Sequence, residues 1–225
     1  MLLRDSLQTK ETAYSVSEQS DGSWEPEHVT ERYICFLVCS NKICGEVVAS
    51  CGRVSHERHE QFEESVGEMV TFDSTYYTPR QMFPAPPVFP LSTRLKKELA
   101  AHLRKAFELL WVDPASCANR IRVFLEFLMD HFEILRTDIN AKGEEYDLKL
   151  YHRIERLEAK KPGHKKTFNA LRNVGNYASH SGKAKFETLI DCFELVELII
   201  ADLVDGRQDR LDKMTARLSV KDGEF

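Results

Sequence analysis

Arg172, Asn176 and His180 recur at intervals of four within the run Leu171-Arg172-Asn173-Val174-Gly175-Asn176-Tyr177-Ala178-Ser179-His180. On a helix that interval stacks all three along one side. Phe168, Leu171, Val174 and Ala178 form an apolar stripe beside them, which predicts that the adjacent face is buried. Arg is a fixed cation, Asn both donates and accepts hydrogen bonds, and His titrates near neutrality. Such a trio can bind and cleave a phosphodiester. The imidazole takes the proton of a ribose 2′-hydroxyl, the guanidinium neutralises charge on the phosphate oxygens, and Asn176 orients the ring or holds a phosphate. No carboxylate cluster with metal spacing sits near this stretch, which disfavours two-metal chemistry. The same residues also have a purely structural reading. Arg172 would pair with Glu126 or Asp130, Asn176 and His180 would tie the loop at 181–184, and Gly175 would let two helices approach closely. Arg122 and Glu126, an i,i+4 pair, would then serve only their own helix.

Helices must present these groups, and the sequence after Pro90 has helical periodicity. Ser92 is a plausible N-cap for a stripe of Leu95, Leu99, Leu103, Ala106 and Leu110. Asp113-Pro114 is a cap followed by proline at the first helical position, opening a helix with Cys117, Ile121, Phe124, Leu125, Leu128 and Phe132 inward. A third helix carries Leu150, Ile154 and Leu157 and stops before Pro162-Gly163. The fourth, from about 165 to 179, holds the Arg-Asn-His run and is broken at Ser181-Gly182. A strongly apolar fifth runs from about 185 to 204, and residues 206–225 form a charged tail. The basic loop Lys160, Lys161, His164, Lys165 and Lys166 precedes the motif helix, where Lys165 and Lys166 are candidates to guide a phosphate backbone.

The first third reads differently. Residues 1–30 are polar and read as an extended arm, with Trp24 and Pro26 anchoring its end. Residues 31–78 read as a small β unit: a strand at 33–39, turn chemistry at 40–42, a return strand at 43–51, charged residues with His56 and His59, and a further β-like stretch at 69–78. Five prolines between Pro79 and Pro90 predict an extended linker over 79–91, leading to a helical unit over 92–205.

Composition bounds the class. A chain of 225 residues with 42% hydrophobic and 30% charged content sustains a real core under a soluble surface. No apolar run is long enough to span a membrane, and Met1 to Glu27 lacks the pattern of a secretory signal. The six cysteines suggest reduced thiols in the cytoplasm. A net charge of −5 argues against coating nucleic acid broadly, while leaving room for a local basic site. Four cysteines between 35 and 51, close to His56 and His59, have the donor types of a zinc site, although no CxxC pair occurs. Buried apolar thiols are the other reading.

The run Ala118-Asn119-Arg120-Ile121-Arg122-Val123-Phe124-Leu125-Glu126, followed by a middle helix and the Leu171–His180 stretch, resembles a bacterial domain-of-unknown-function family. That family is known from its attachment to restriction-endonuclease subunits and is grouped with the HEPN superfamily, the higher-eukaryote and prokaryote nucleotide-binding helical domains. The resemblance spans roughly residues 75–205. It implies a four-to-five-helix up-down bundle, often dimeric, and in many members a metal-independent ribonuclease of toxin and phage-defence systems. It implies catalytic roles for Arg172 and His180, with Asn173 matching the polar residue after the arginine. The seven residues between Arg172 and His180 make a longer interval than the usual one. Relatives similar to this chain carry a zinc ribbon before the bundle, so zinc at Cys39 and Cys44 in a degenerate ribbon is implied here.

The expected protein is therefore mainly α with a small β unit: an N-terminal β-hairpin of degenerate zinc-ribbon character, then a HEPN-like bundle. Arg172, Asn176 and His180 are the candidate catalytic residues; Asn173, Arg122, Glu126, Lys165 and Lys166 are candidates for binding. The leading function is cleavage of RNA by a cytoplasmic homodimer that requires no cofactor. The alternative is a non-catalytic module that binds a partner protein or a nucleotide and regulates a nuclease.

Overall fold

The computed structural model describes residues 1–24, 28–63, 65 and 67–219. The chain divides into two compact units, Met1–Pro86 and Pro87–Phe225. Pro26, expected to anchor the arm, lies outside the described residues. No described helix is long and apolar enough to cross a membrane.

The first unit is a four-stranded antiparallel sheet in the order β1-β2-β3-β4: Gln8–Glu11, Glu31–Val38, Val47–Glu63 and Glu68–Phe83. Residues 1–30, read from the sequence as an arm, are thus partly built into the fold. β1 pairs with β2, and the short helix α1 (Ala13–Glu18) follows. Thr12 caps α1 by accepting the Ser15 N–H at 3.2 Å. The buried Ser15 hydroxyl donates to Glu11 at 2.7 Å and accepts the Thr30 N–H at 3.1 Å, closing the loop back onto β2. The core beneath is small: Tyr33, Cys35 and Val54.

β4 runs on through Pro79, into residues expected to be linker. It is an edge strand, where a missing N–H breaks no inner ladder. The pairing also slips there: Cys51 faces Gln81 while Gly52 faces Pro79, so Arg80 is the extra residue of a bulge. Gly52 is required opposite it, because a Cβ would lie 2.1 Å from the Thr78 carbonyl oxygen.

The second unit is helical. It holds α2 (Lys97–Val112), α3 (Pro114–His131), a small hairpin of β5 (Thr137–Ile139) and β6 (Glu145–Asp147), and then α4 (Leu150–Lys160) and α5 (Lys165–Ser181). Next come α6 (Phe186–Ile199), a π turn at Ile200–Val204, and α7 (Arg207–Leu218) within the expected charged tail. Leu103, Phe124, Leu128, Phe168 and Phe193 centre the core on the stripes read from the sequence, and Phe107, outside the stripe read for α2, joins them. Asp113 caps α3 as expected, accepting the Ser116 N–H at 3.0 Å, with Pro114 in the first turn. Ser92 does not cap α2, which starts five residues later. Its hydroxyl accepts the Arg94 N–H and donates to Asp205, pinning the entry segment to the exit of the π turn.

Among the described residues, one charged side chain sits wholly inside. Arg153 of α4 is 1% exposed, at a position of the apolar stripe that otherwise carries Leu150, Ile154 and Leu157. Its guanidinium donates to Glu126 at 2.9 Å, Asp130 at 2.6 Å and the Ile134 carbonyl at 2.7 Å. It therefore ties α4 to α3 and to the turn after α3. Burial alone would raise the Asp130 pKa, but hydrogen bonds from Arg136 and Arg153 overcome it and hold the carboxyl below its ordinary range. A depressed carboxylate contributes stability above its unfolded pKa, about 3.9, and loses it as pH falls through the lower folded value.

Removing the buried cation leaves the partly exposed Glu126 unpaired, leaves Asp130 to Arg136 alone, and empties the space the guanidinium fills. Arg153→Ala should destabilise the protein by about 3 kcal/mol or more in urea unfolding. It should also flatten the fall in stability below about pH 4. A variant as stable as the parent would show that the clamp contributes nothing net.

Candidate functional site

The site is built where α5 crosses α3. Gly175 meets α3 so closely that a Cβ would stand 2.7 Å from the Arg122 Cβ and 3.1 Å from the Ala118 carbonyl oxygen. Ser179 donates to the Gly175 carbonyl at 2.8 Å and to the Asn119 side chain at 3.2 Å, fastening the next turn. This contact fixes the rotation of α5. Leu171, Gly175 and Ala178 face inward, while Asn173, Tyr177 and His180 face solvent.

Arg172 and Asn176 are half-buried and His180 is exposed in the last turn. The Arg172 guanidinium lies over the Tyr151 ring of α4, 5.0 Å from its centroid, and donates to Asn173 at 2.9 Å. Its Nε is buried without a partner, as is the Nε of Arg122. Two abutting helices therefore each carry a half-buried guanidinium at this crossing, and the buried Arg153 has an unpartnered Nε as well. Among the described residues neither Asn176 nor His180 has a side-chain hydrogen bond or ion pair.

The structural alternatives for these residues fall to other groups. Glu126 and Asp130 are taken by Arg153, not by Arg172, and Glu126 does not pair with Arg122. The loop at 181–184 is tied by Ser181, which accepts the Lys183 N–H at 3.2 Å, and by the left-handed Gly182 closing onto Ala178. Glu126 is thus a clamp residue rather than a free binding group. Lys165 is bound to Glu155 at 2.7 Å, while Lys166 is exposed. Glu158 accepts the backbone N–H groups of Gly163, His164 and Lys165, which offsets charge in the basic loop.

The thiols separate by unit. Cys39 and Cys44 are exposed at the β2–β3 connection, and Cys35 is buried. His56 is engaged by Glu31 at 2.9 Å and Thr75 at 3.2 Å; His59 stacks on Phe72 and meets the Tyr76 hydroxyl. Among the described residues no three His, Cys, Asp or Glu side chains group closely enough to hold a metal ion. The residues present therefore do not fit the zinc ribbon that the resemblance implies. In the helical unit, burial pushes the Cys117 thiol up to about 12 and the Cys192 thiol up to about 11.

Sequence reasoning missed Arg153, Tyr151 and Glu155. Arg153 had a readable signal, since a cation inside an apolar i,i+3,i+4,i+7 stripe demands buried carboxylates. The i,i+4 carboxylates Glu126 and Asp130 are the matching pair. Tyr151 carries no comparable sequence signal.

Comparison with known families adds one assignment. The family described as Domain of unknown function (DUF4145) matches residues 104–219, more than half the chain, and this protein belongs to it. A second description, Domain of unknown function (DUF8608), matches residues 1–82, the extent of the β unit. No curated protein and no solved structure matches the chain.

Two outcomes follow from this geometry. Gly175→Ala should destabilise by about 1–2 kcal/mol in thermal unfolding, because overpacking against the Arg122 stem and α3 backbone outweighs the helix-propensity gain. Thiol titration of the native protein at pH 8 should label Cys39 and Cys44 promptly, and Cys117 and Cys192 only after unfolding. Prompt labelling of all six would contradict the packing described.

Proposed function

We propose that the helical unit is a HEPN-like domain that cleaves RNA without metal, as a cytoplasmic homodimer of a defence or toxin-type system. One observation carries this reading. Asn176 and His180 stand beside Arg172 on one helix face without consuming each other or their neighbours among the described residues. Polar groups buried for the fold alone are spent within the subunit, as the two terminal nitrogens of Arg153 are, whereas these groups are left to water or a ligand.

The chemistry proceeds on ordinary terms. The neutral His180 imidazole accepts the 2′-hydroxyl proton as the 2′-oxygen bonds to phosphorus. The bond from phosphorus to the 5′-oxygen breaks, and that oxygen takes a proton from a second, protonated imidazole. A second copy supplies that imidazole if two α5 faces meet across a twofold axis. Arg172, steadied over Tyr151, and the half-buried Arg122 beside it neutralise the phosphate oxygens by their charge.

A non-catalytic module that binds a nucleotide or partner protein and regulates a nuclease is the second reading. The observation favouring it is that His180 has no orienting partner within the described subunit, whereas a catalytic imidazole is ordinarily held by a third group.

The test is incubation of the full chain with structured RNA in excess chelator. Cleavage should persist there, fall about 10²–10⁴-fold in His180→Ala and about 10²–10³-fold in Arg172→Ala. Intact RNA in every lane rejects the enzyme and leaves the binding module.

A further inference from the structure

The last described helix makes a second, separate cationic site. Asp209 apart, the face of α7 turned toward the rest of its unit carries Arg210, Lys213 and Arg217, at i, i+3 and i+7. These line a concavity of about 530 Å³ together with Arg94 from the turn before α2. Four cations converge there on two carboxylates, Asp205 and Asp209. Asp205 is already engaged: its carboxylate accepts from Ser92 and its carbonyl accepts from Arg94 at 3.0 Å. Arg210, Lys213 and Arg217 have no carboxylate partner among the described residues. Like charges gathered in a concavity repel one another until an anion fills it.

We propose that this cleft is a phosphate-binding groove for the backbone of single-stranded RNA. The stripe from Arg210 to Arg217 spans roughly 10 Å along the axis, long enough for more than one phosphate of an extended strand. The groove is open along α7, which has no buried residue, so a chain can enter and leave it. An anionic membrane is the other polyanion to consider. A bilayer presents a flat face and would take up the exposed Leu211, Met214 and Leu218 of α7, whereas the cations line a shallow hollow between α7 and the turn at Arg94. In a chain of net charge −5, a local groove also explains how RNA could be held without a basic surface overall.

This inference extends the RNA reading of the Arg172 face, and its experiment reads binding rather than cleavage. Fluorescence anisotropy would measure a labelled oligouridylate on the full chain carrying His180→Ala, so that the probe stays intact. Arg210→Gln/Lys213→Gln/Arg217→Gln would be compared with a matched control, Lys10→Gln/Lys42→Gln/Lys142→Gln, all exposed. The first triple should weaken binding about tenfold or more and lower the slope of log affinity against log salt by about 2. The control should change neither. Circular dichroism should show both folded, since α7 buries none of its residues.

Equal affinities for the two triples overturn the groove, as does an absence of RNA binding by the parent. Loss of binding to phosphatidylserine vesicles, with RNA binding unchanged, overturns it in favour of a membrane. The two readings separate cleanly. Cleavage by the natural chain with no α7 effect on binding sinks only the groove. A strong α7 effect without cleavage sinks only the nuclease.

Discussion

The helical unit depends on a guanidinium held out of water. Arg153 reaches from α4 into a space closed by α3 and its following turn, and two carboxylates and a carbonyl answer it. Taking a cation from water costs several kcal/mol unless it is answered; both terminal nitrogens are bonded while Nε stays buried without a partner, so the arrangement tolerates little displacement. It also decides what the neighbouring helix is free to do. Because α4 supplies the cation that Glu126 and Asp130 need, α5 does not have to, and Arg172 is left to lie over Tyr151.

The second constraint is the near contact of α5 with α3 at Gly175. A glycine in a helix interior costs about 1 kcal/mol relative to alanine, and its use here is to let two backbones approach. The approach locks the rotation of α5, so Arg172, Asn176 and His180 stay on the flank rather than turning into the core. The exposure of this candidate face therefore follows from how the core closes. The α3 stripe of Ile121, Phe124, Leu125 and Leu128 and the α5 stripe of Phe168, Leu171 and Ala178 pack first in this logic, and the polar face is what remains outside.

Much of this was legible in the sequence because helical periodicity and cap chemistry are local. The stripes of α2, α3 and α6, the Asp113-Pro114 start and the break at Ser181-Gly182 were all read directly. The misreadings have a common physical cause, which is that distant residues supplied the missing partner. Gln8–Glu11 looks polar and unstructured until β2 offers it an edge. Pro79 looks like a linker residue until a bulge and an edge position accommodate it. The charged stretch after Arg53 carries no strand signal of its own until β4 pairs with it residue by residue. At the site, the residue types on α5 were readable. Their freedom was not, because it depends on Arg153 and Ser181 having taken the roles that Arg172, Asn176 and His180 might have filled.

The long hairpin of β3 and β4 has a further consequence. The pairing of β2 with β3 ends at Val54, so beyond it β3 and β4 continue as a two-stranded ribbon, extending roughly 23 Å from His56 to Glu63. Both margins of such a ribbon offer unsatisfied amide and carbonyl groups to any passing strand. The side chains there answer that hazard: Glu57, Arg58, Glu60 and Glu63 on one arm and Glu68 and Asp73 on the other are charges that a stacking neighbour would have to strip of water. The ribbon can hold Phe72 and Tyr76 out toward solvent, because the acids beside them discourage copies of the chain from zipping together.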